Sequence, residues 1–206
     1  MFPSKYKNSK CCHKTTECKE PCETKIDKCP CPINYYLFIY KSTNQQYTGT
    51  GFMDVLFNNV GASNGWMTGP ISSTGFADFI VPATGLYEIS YTATVTNTGT
   101  FSEVDVLIPS PKQDVIFQLQ DLTANTPIVA SESWSTVDES AITLAPRIIR
   151  PTYEEISNTF FATLQAGHHI SLQTSGTSAF LSLNTSLPSL GLTNLRPVKL
   201  EITSLF

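Results

Sequence analysis

Six cysteines near the start of the sequence form its most reactive group of side chains. All of them fall between residues 11 and 31, and none follows; they are Cys11, Cys12, Cys18, Cys22, Cys29 and Cys31. Cysteine thiolates bind zinc and take part in disulfide exchange. Three kinds of chemistry are therefore open: a structural zinc site, disulfides within this segment, and disulfides to another chain.

The spacing of the cysteines fits zinc poorly. Structural zinc usually takes its thiolates from two C-x(2–4)-C pairs. Cys18 and Cys22 form one such pair, but Cys29 and Cys31 enclose a single proline and are too close for an ordinary second pair. Zinc held by these four cysteines, with His13 as a spare ligand, stays an alternative, and our leading expectation includes no metal and no other cofactor.

Disulfides are the interpretation that we favour. A bond between the neighbours Cys11 and Cys12 would close a strained ring, so we expect each of them to have a different partner. Seven lysines in residues 1–32 stabilise thiolates and favour exchange. We predict that at least some of the disulfides join different chains, with bonds inside the segment alone as the alternative.

Other patterns that resemble catalytic motifs lack suitable surroundings. Residues 61–65, GASNG, match the G-x-S-x-G motif around Ser63, but the following residues cannot open a helix, so we predict a loop. On a strand, the neighbours His168 and His169 would point to opposite faces and could not chelate one ion. We expect a strand to begin there, with one ring turned inward, rather than a metal site.

The acidic pairs do not indicate a glycosidase. Asp138 and Glu139, like Glu154 and Glu155, are sequence neighbours, and nothing places either pair across a cleft. We expect solvated loop charges at both places. Because no acid, base and nucleophile converge in this sequence, we predict that the protein is not an enzyme.

Charge and composition divide the chain into two parts. Residues 1–32 carry seven lysines against four acidic residues, whereas residues 33–206 carry six basic against thirteen acidic residues. We interpret the first part as a Cys-rich, Lys-rich arm and the second as a folded domain. Neither has the dense basic patch that nucleic acid requires, or an apolar run of about 18 residues for a membrane span. The first residues also lack the apolar core of a signal peptide. We therefore expect no nucleic-acid or membrane partner.

Alternating apolar and polar residues predict an all-β domain. The clearest alternation covers residues 85–95 and 198–203, and further strands are predicted at 35–40, 114–120 and 168–173. Turn residues separate these runs. Only residues 151–164 have apolar positions at helical spacing, but Ser157, Asn158 and Thr159 are poor helix formers in mid-run, so a helix there is the minor alternative.

Two segments, residues 57–69 and 75–95, resemble the centre of a C1q/TNF-like head domain. That family's pattern Phe-x-x-Pro-x-x-Gly-x-Tyr is matched by residues 79–87, Trp66 stands where the family usually has tyrosine, and a later glycine matches Gly167. The matching residues of the pattern are Phe79, Pro82, Gly85 and Tyr87. The resemblance implies a jelly-roll β-sandwich of about ten strands and a homotrimer.

The sequence departs from the family at three places. His168 replaces the usual aspartate, residues 96–163 form a longer stretch than the family norm, and no collagen-like Gly-X-Y stalk precedes the domain. Aromatic residues at the start and end of the domain could pack between subunits, although one subunit's own core could also take them. They are Tyr35, Tyr36, Phe38, Tyr40 and Phe206.

Heads of this kind without signal peptides occur in outer spore layers and in virus particles, and the first residues resemble a spore exosporium or appendage leader. The resemblance therefore suggests a structural protein on the extracellular surface of a spore, whose partners are copies of itself and other surface-layer or fibre proteins. A capsid or fibre protein of a virion is one alternative. A head that binds a glycan or a receptor is another.

Overall fold

All regular structure described in this chain is β-structure. The computed structural model describes residues 33–46, 51–97, 113–137, 141–142, 149–150, 152–176, 181–183 and 196–205. The strands in these ranges are β1 (Tyr36–Lys41), β2 (Gln45–Gln46), β3 (Met53–Asp54), β4 (Asn59–Asn64), β5 (Met67–Thr68), β6 (Asp78–Ile80), β7 (Gly85–Asn97), β8 (Gln113–Asp121), β9 (Thr126–Pro127), β10 (Ser133–Val137), β11 (Ala141–Ile142), β12 (Ile149–Arg150), β13 (Thr152–Leu164), β14 (His169–Gly176), β15 (Leu181–Leu183) and β16 (Val198–Ser204). Ten of these have three or more residues. Within the same ranges, no helix is long and apolar enough to cross a membrane.

The strands form two antiparallel seven-stranded sheets, which we call sheet A and sheet B, and one two-stranded pair, β11–β12. Sheet A has the order β2-β15-β7-β16-β1-β4, with β13 also paired to β7. Sheet B has the order β10-β8-β14-β6-β5, with β3 on β14 and β9 on β8. From β6 onward the chain passes back and forth between the sheets: β6, β8 and β14 lie in sheet B, whereas β7, β13 and β16 lie in sheet A. This is the winding of a jelly-roll sandwich and confirms the predicted fold class.

The alternating sequences form the strands with one buried face. In β16 every second residue from Val198 to Ser204 is buried, and β7 buries the corresponding positions from Tyr87 to Val95. The two strands pair so that Ile202 faces Ile89 and Leu200 faces Tyr91. Burying one apolar side chain of this size stabilises a fold by about 1.5 to 3 kcal/mol relative to its exposure, so these strands anchor sheet A.

Strand β1 lies in the interior of sheet A, between β16 and β4. Its inward residues are Leu37, Ile39 and Lys41, all buried. The predicted strand at residues 35–40 is confirmed with a shift of one residue. Its aromatic residues therefore face away from the sandwich interior, apart from Tyr35, which precedes the strand and packs against the core.

Two local expectations need correction. Residues 61–64 belong to β4 and not to a loop, because Gly61 has no side chain and the ring of Phe38 on β1 lies directly over it. A bulge between Phe38 and Ile39 adjusts the register at this point. The helical alternative for residues 151–164 is also wrong, because Thr152–Leu164 pairs along its whole length with β7. Glu154 and Glu155 therefore lie on a strand and not in the expected loop.

Side chains, not a backbone ladder, join the two sheets along one edge. We call this junction of β10 and β13 the seam. Asn158 on β13 donates from Nδ2 to the carbonyl oxygens of Ala130 at 3.0 Å and Glu132 at 3.3 Å. Ser133 donates to the carbonyl oxygen of Ser157 at 3.4 Å. Ser157 and Asn158, which are poor helix formers, thus close this edge of the sandwich.

Candidate functional site

The residues that match the family pattern meet in the core. Trp66 lies edge-on to both Phe79 and Tyr87, with ring centroids 6.4 and 5.7 Å apart. The hydroxyl of Tyr87 donates to the carbonyl oxygen of Ala83 at 2.7 Å, and burial raises the pKa of this hydroxyl. Such edge-to-face contacts stabilise a core beyond simple burial. The cluster therefore stabilises the core. The indole N–H of Trp66 is buried, and among the described residues it has no hydrogen-bond partner.

The glycines and the proline of the pattern lie in turns or at their ends. Pro82 and Gly85 flank the turn that leads into β7, and Gly167 lies in the turn between β13 and β14 with a φ of 77°. A left-handed φ of this kind is easiest for glycine, which accounts for the residue type at this position.

The residues proposed for crosslinking or zinc binding, Cys11 to Cys31 with His13, lie outside the described part of the chain, as do Asp138, Glu139 and Phe206. Within the described part, no group of three or more His, Cys, Asp or Glu side chains could hold a metal ion. Ser63 lies exposed on β4 opposite Leu37, with no helix after it. The nucleophile-elbow motif is therefore coincidental.

Two histidine–aspartate pairs form at one end of sheet B. Nδ1 of His168 lies 2.7 Å from Oδ2 of Asp121 on β8, and Nδ1 of His169 lies 2.6 Å from Oδ2 of Asp78 on β6. The side chains of His168 and His169 are 30% and 43% exposed. The expectation that one ring turns inward is wrong, because each ring is held at the surface by a carboxylate of a flanking strand.

The electrostatics of the Asp121 carboxylate follow from this contact. Its partial burial acts to raise the pKa, but hydrogen bonds from His168 and from the backbone of Ala124 and Thr123 outweigh burial and hold the pKa of Asp121 below its ordinary value. An ionised Asp121 fixes both the histidine and the turn after β8. The pair stabilises this end of the sandwich and offers no nucleophile.

Lys41 is a buried cation that the sequence patterns did not indicate. It is only 1% exposed, and its Nζ donates to the carbonyl oxygen of Leu56 at 2.7 Å and to Oγ1 of Thr43 at 3.3 Å. Burial lowers the pKa of Lys41 to about 8. Its position at the end of an apolar strand gives no sign of burial, since lysines at strand ends are ordinarily solvated.

The outer face of sheet A is the best candidate for a contact surface. Tyr36, Phe38 and Tyr40 project from β1 on this face, and the guanidinium of Arg196 lies 4.3 Å from the ring centre of Tyr40. Across the same face Leu86 and Phe161 are 46% and 60% exposed. The two sets share one face of sheet A, with polar residues of β7 and β16 between them. Exposed apolar side chains on one surface are typical of association sites. We call this set the aromatic face.

Comparisons with known proteins add little to this description. No protein-family model and no curated protein sequence matches the chain. Among solved structures, murine APRIL at pH 5.0 is similar with 12% identity and a TM-score of 0.46, and murine APRIL at pH 8.0 with 10% identity and a TM-score of 0.48. Both alignments cover 84% of this chain and 100% of APRIL. At this similarity the fold assignment depends on the strand order described above.

Proposed function

We propose that this protein is a non-enzymatic structural protein of a spore surface layer or appendage. In this proposal jelly-roll heads form homotrimers, and the arms of residues 1–32 crosslink neighbouring molecules through disulfides. The observation that carries the proposal is the division of the sequence: six cysteines lie in residues 11–31 and none in the 33–206 domain. A head that buries its own core needs no internal disulfide, so the cysteines are free to join chains.

The aromatic face supports self-association of the heads. Phe161 and Leu86 expose apolar area that an isolated domain would have to hydrate. Polar residues of β7 and β16, including Glu88 and Lys199, lie between Phe161 and the rings of β1, so the interface would combine apolar contacts with polar ones. Packing copies of this face around an axis would cover the exposed rings of all three subunits.

The absence of converging chemistry supports a non-enzymatic role. In the described residues each surface histidine already pairs with an aspartate, and Ser63 has neither a base nor an oxyanion site beside it. A structural role explains the exposed aromatic face and the cysteines together, whereas an enzyme would explain neither.

Denaturing gel electrophoresis tests the crosslinking. Full-length protein, oxidised after purification, should run as a ladder of multimers without reductant and as one band with reductant. Replacing Cys11, Cys12 and Cys18 by serine should shorten the ladder, and electron microscopy should show whether larger assemblies are lost with it. A single monomer band under both conditions would contradict the proposal.

A further inference from the structure

The outer face of sheet B carries a chain of hydrogen-bonded polar side chains. Oδ1 of Asp54 on β3 accepts from Oγ of Ser171 at 2.9 Å and from Nε2 of Gln173 at 3.0 Å, both on β14. Nε2 of Gln118 on β8 approaches Oε1 of Gln173 at 3.4 Å and Oε1 of Gln120 at 3.3 Å. We call these five residues the amide face. It crosses three neighbouring strands, with Asp54, Gln173 and Gln118 at one level of the sheet and Ser171 and Gln120 at the next. Ser171 and Gln120 are buried, so the half-buried Asp54, Gln118 and Gln173 present the accessible polar atoms.

The hydrogen bonds among the glutamines are weakly made. Distances of 3.3 and 3.4 Å are long for N–H···O bonds, whereas the bonds to Asp54 are of ordinary length. Register pairing fixes the positions, because Gln118 faces Gln173 and Gln173 faces Asp54 across the strands. The strand register thus holds the glutamine amides in place, yet each amide can give up its long hydrogen bond to form a shorter one with a ligand.

An exposed tryptophan lies next to the amide face. Trp134 on β10 is 70% exposed and pairs with Ile116 of β8, so it projects from the same side of sheet B as Gln118, two residues further along β8. Side chains two residues apart on the same face of a strand are separated by about 7 Å. This distance matches the width of a small ring-shaped ligand. An indole so far exposed is unusual for an isolated domain.

The charge of this face selects the class of ligand. The carboxylates of Asp54 and Asp114 lie on it, whereas the basic side chains that the structure describes, Lys41, Lys199 and Arg196, lie in sheet A or against it. An acidic surface repels phosphates and anionic sugars. A nucleobase could stack on the indole, but its backbone would find no lysine or arginine on this face among the side chains that the structure describes.

We propose that Trp134 and the amide face form a binding site for a neutral carbohydrate. The C–H face of a sugar ring would pack on the indole, which offers a flat apolar surface. Sugar hydroxyls would donate to Asp54 and to glutamine carbonyl oxygens and accept from glutamine amides, which provide both functions. The proposal does not depend on crosslinking or on trimers, since the site lies on the opposite sheet from the aromatic face.

Calorimetric titration of the full-length protein tests this proposal. The ligands are neutral oligosaccharides built from glucose, mannose, galactose or N-acetylglucosamine, and one sialylated oligosaccharide for comparison. We expect saturable binding of at least one neutral oligosaccharide, and weaker binding or none of the sialylated one. The sequence has two tryptophans, and Trp66 is buried, so a change in tryptophan emission on binding would report on Trp134.

Single substitutions locate the site. Trp134→Ala should abolish binding, and Gln173→Ala should weaken it about tenfold by removing one set of hydrogen bonds. Ile71→Ala is the control, because Ile71 is 73% exposed but lies near β5 and β6, at the other edge of sheet B from β10. Melting temperatures of all variants check that they fold.

Three results would overturn the proposal: no neutral oligosaccharide binds, Trp134→Ala binds as well as the wild type, or only the sialylated ligand binds. None of these results affects the disulfide ladder, so failure of the carbohydrate site and failure of the proposed structural function are separate outcomes.

Discussion

At the scale of single residues, Lys41 places an amino group inside the sandwich. Its pKa is lowered to about 8 in the folded protein, from 10.5 when solvated. Between these pH values the unfolded chain holds a proton that the folded chain has lost, so stability rises with pH across this window. Below pH 8 the amine is charged in both states, and the folded protein bears the cost of burying it.

We predict that Lys41→Met removes this dependence. Relative to the variant, the wild type should gain about 3 kcal/mol in free energy of unfolding between pH 8 and 10.5, since one pKa unit corresponds to about 1.4 kcal/mol. Urea denaturation of both proteins across this range measures the difference. Lys199→Met, at an exposed position of β16, should show no such trend. A constant difference between wild type and Lys41→Met would refute the burial effect.

Asp121 has the opposite pH dependence. Its folded pKa lies below its ordinary value of 3.8, so its contribution to stability is complete above that value and is lost as the pH falls through the folded pKa. Asp121→Asn should lower the free energy of unfolding by about 1 kcal/mol at pH 7 and by less in acid. Denaturation at pH 7 and pH 3 tests this, with Glu88→Gln on β7 as the exposed control. Equal losses at both pH values would contradict the assigned pair.

The sequence reveals the types of these residues but not their partners. Asp121 and Asp78 lie 47 and 91 residues from the histidines that they contact. Only the order and register of strands β6, β14 and β8 bring them together, and no local pattern encodes that order. Trp66, Phe79 and Tyr87 could be identified because a family resemblance supplied the long-range arrangement that local patterns lack.

At the scale of elements, alternation was a reliable guide where one face of a strand is buried. It predicted β7 and β16, whose inward residues are apolar without exception up to Val95 and Ile202. It failed for β4, where exposed small residues look like a loop, and gave an ambiguous result for β13. Strands β4 and β13 are explained only by their neighbours. The ring of Phe38 covers the glycine of β4, and the polar residues of β13 form hydrogen bonds at the seam with β10.

At Gly75 the chain that leads into β6 of sheet B passes very close to the segment before β4. The φ of Gly75 is 130°, and an added Cβ would collide with the carbonyl oxygen of Phe57. Phe57 itself forms a β-bridge with Phe76, the residue after Gly75. We predict that Gly75→Ala lowers the free energy of unfolding by more than about 2 kcal/mol, because backbone strain and a collision with backbone add.

Gly167→Ala is the matched control for this prediction. Gly167 also has a positive φ, of 77°, but an added Cβ would meet nothing within 4 Å. This variant should lose only about 1 kcal/mol, the conformational cost alone. Thermal or chemical denaturation compares the two variants. Equal losses would show that the close approach at Gly75 relaxes without cost.

At the scale of the whole molecule, the proposed trimer depends on the aromatic face. Phe161→Lys should prevent or weaken trimer formation, because it places three charges where apolar area would be buried. Met67 is exposed to the same extent, 60%, but lies on sheet B, so Met67→Lys should leave the trimer intact. Analytical ultracentrifugation with reductant present measures association without disulfides. A Phe161→Lys protein of unchanged mass would show that the interface lies elsewhere.

The interior position of β1 has a mechanical consequence. The described residues begin at Ile33, and β1 follows at once, flanked by the antiparallel strands β16 and β4. The start of β1 pairs with the end of β16, Tyr36 with Thr203, so a load between the arm and the C-terminal residues would separate this pair first and open the β1–β16 ladder bond by bond. We therefore expect low rupture forces in single-molecule pulling between residues 33 and 205, and higher forces when the second attachment lies near Asn59, where the β1–β4 ladder is loaded in shear.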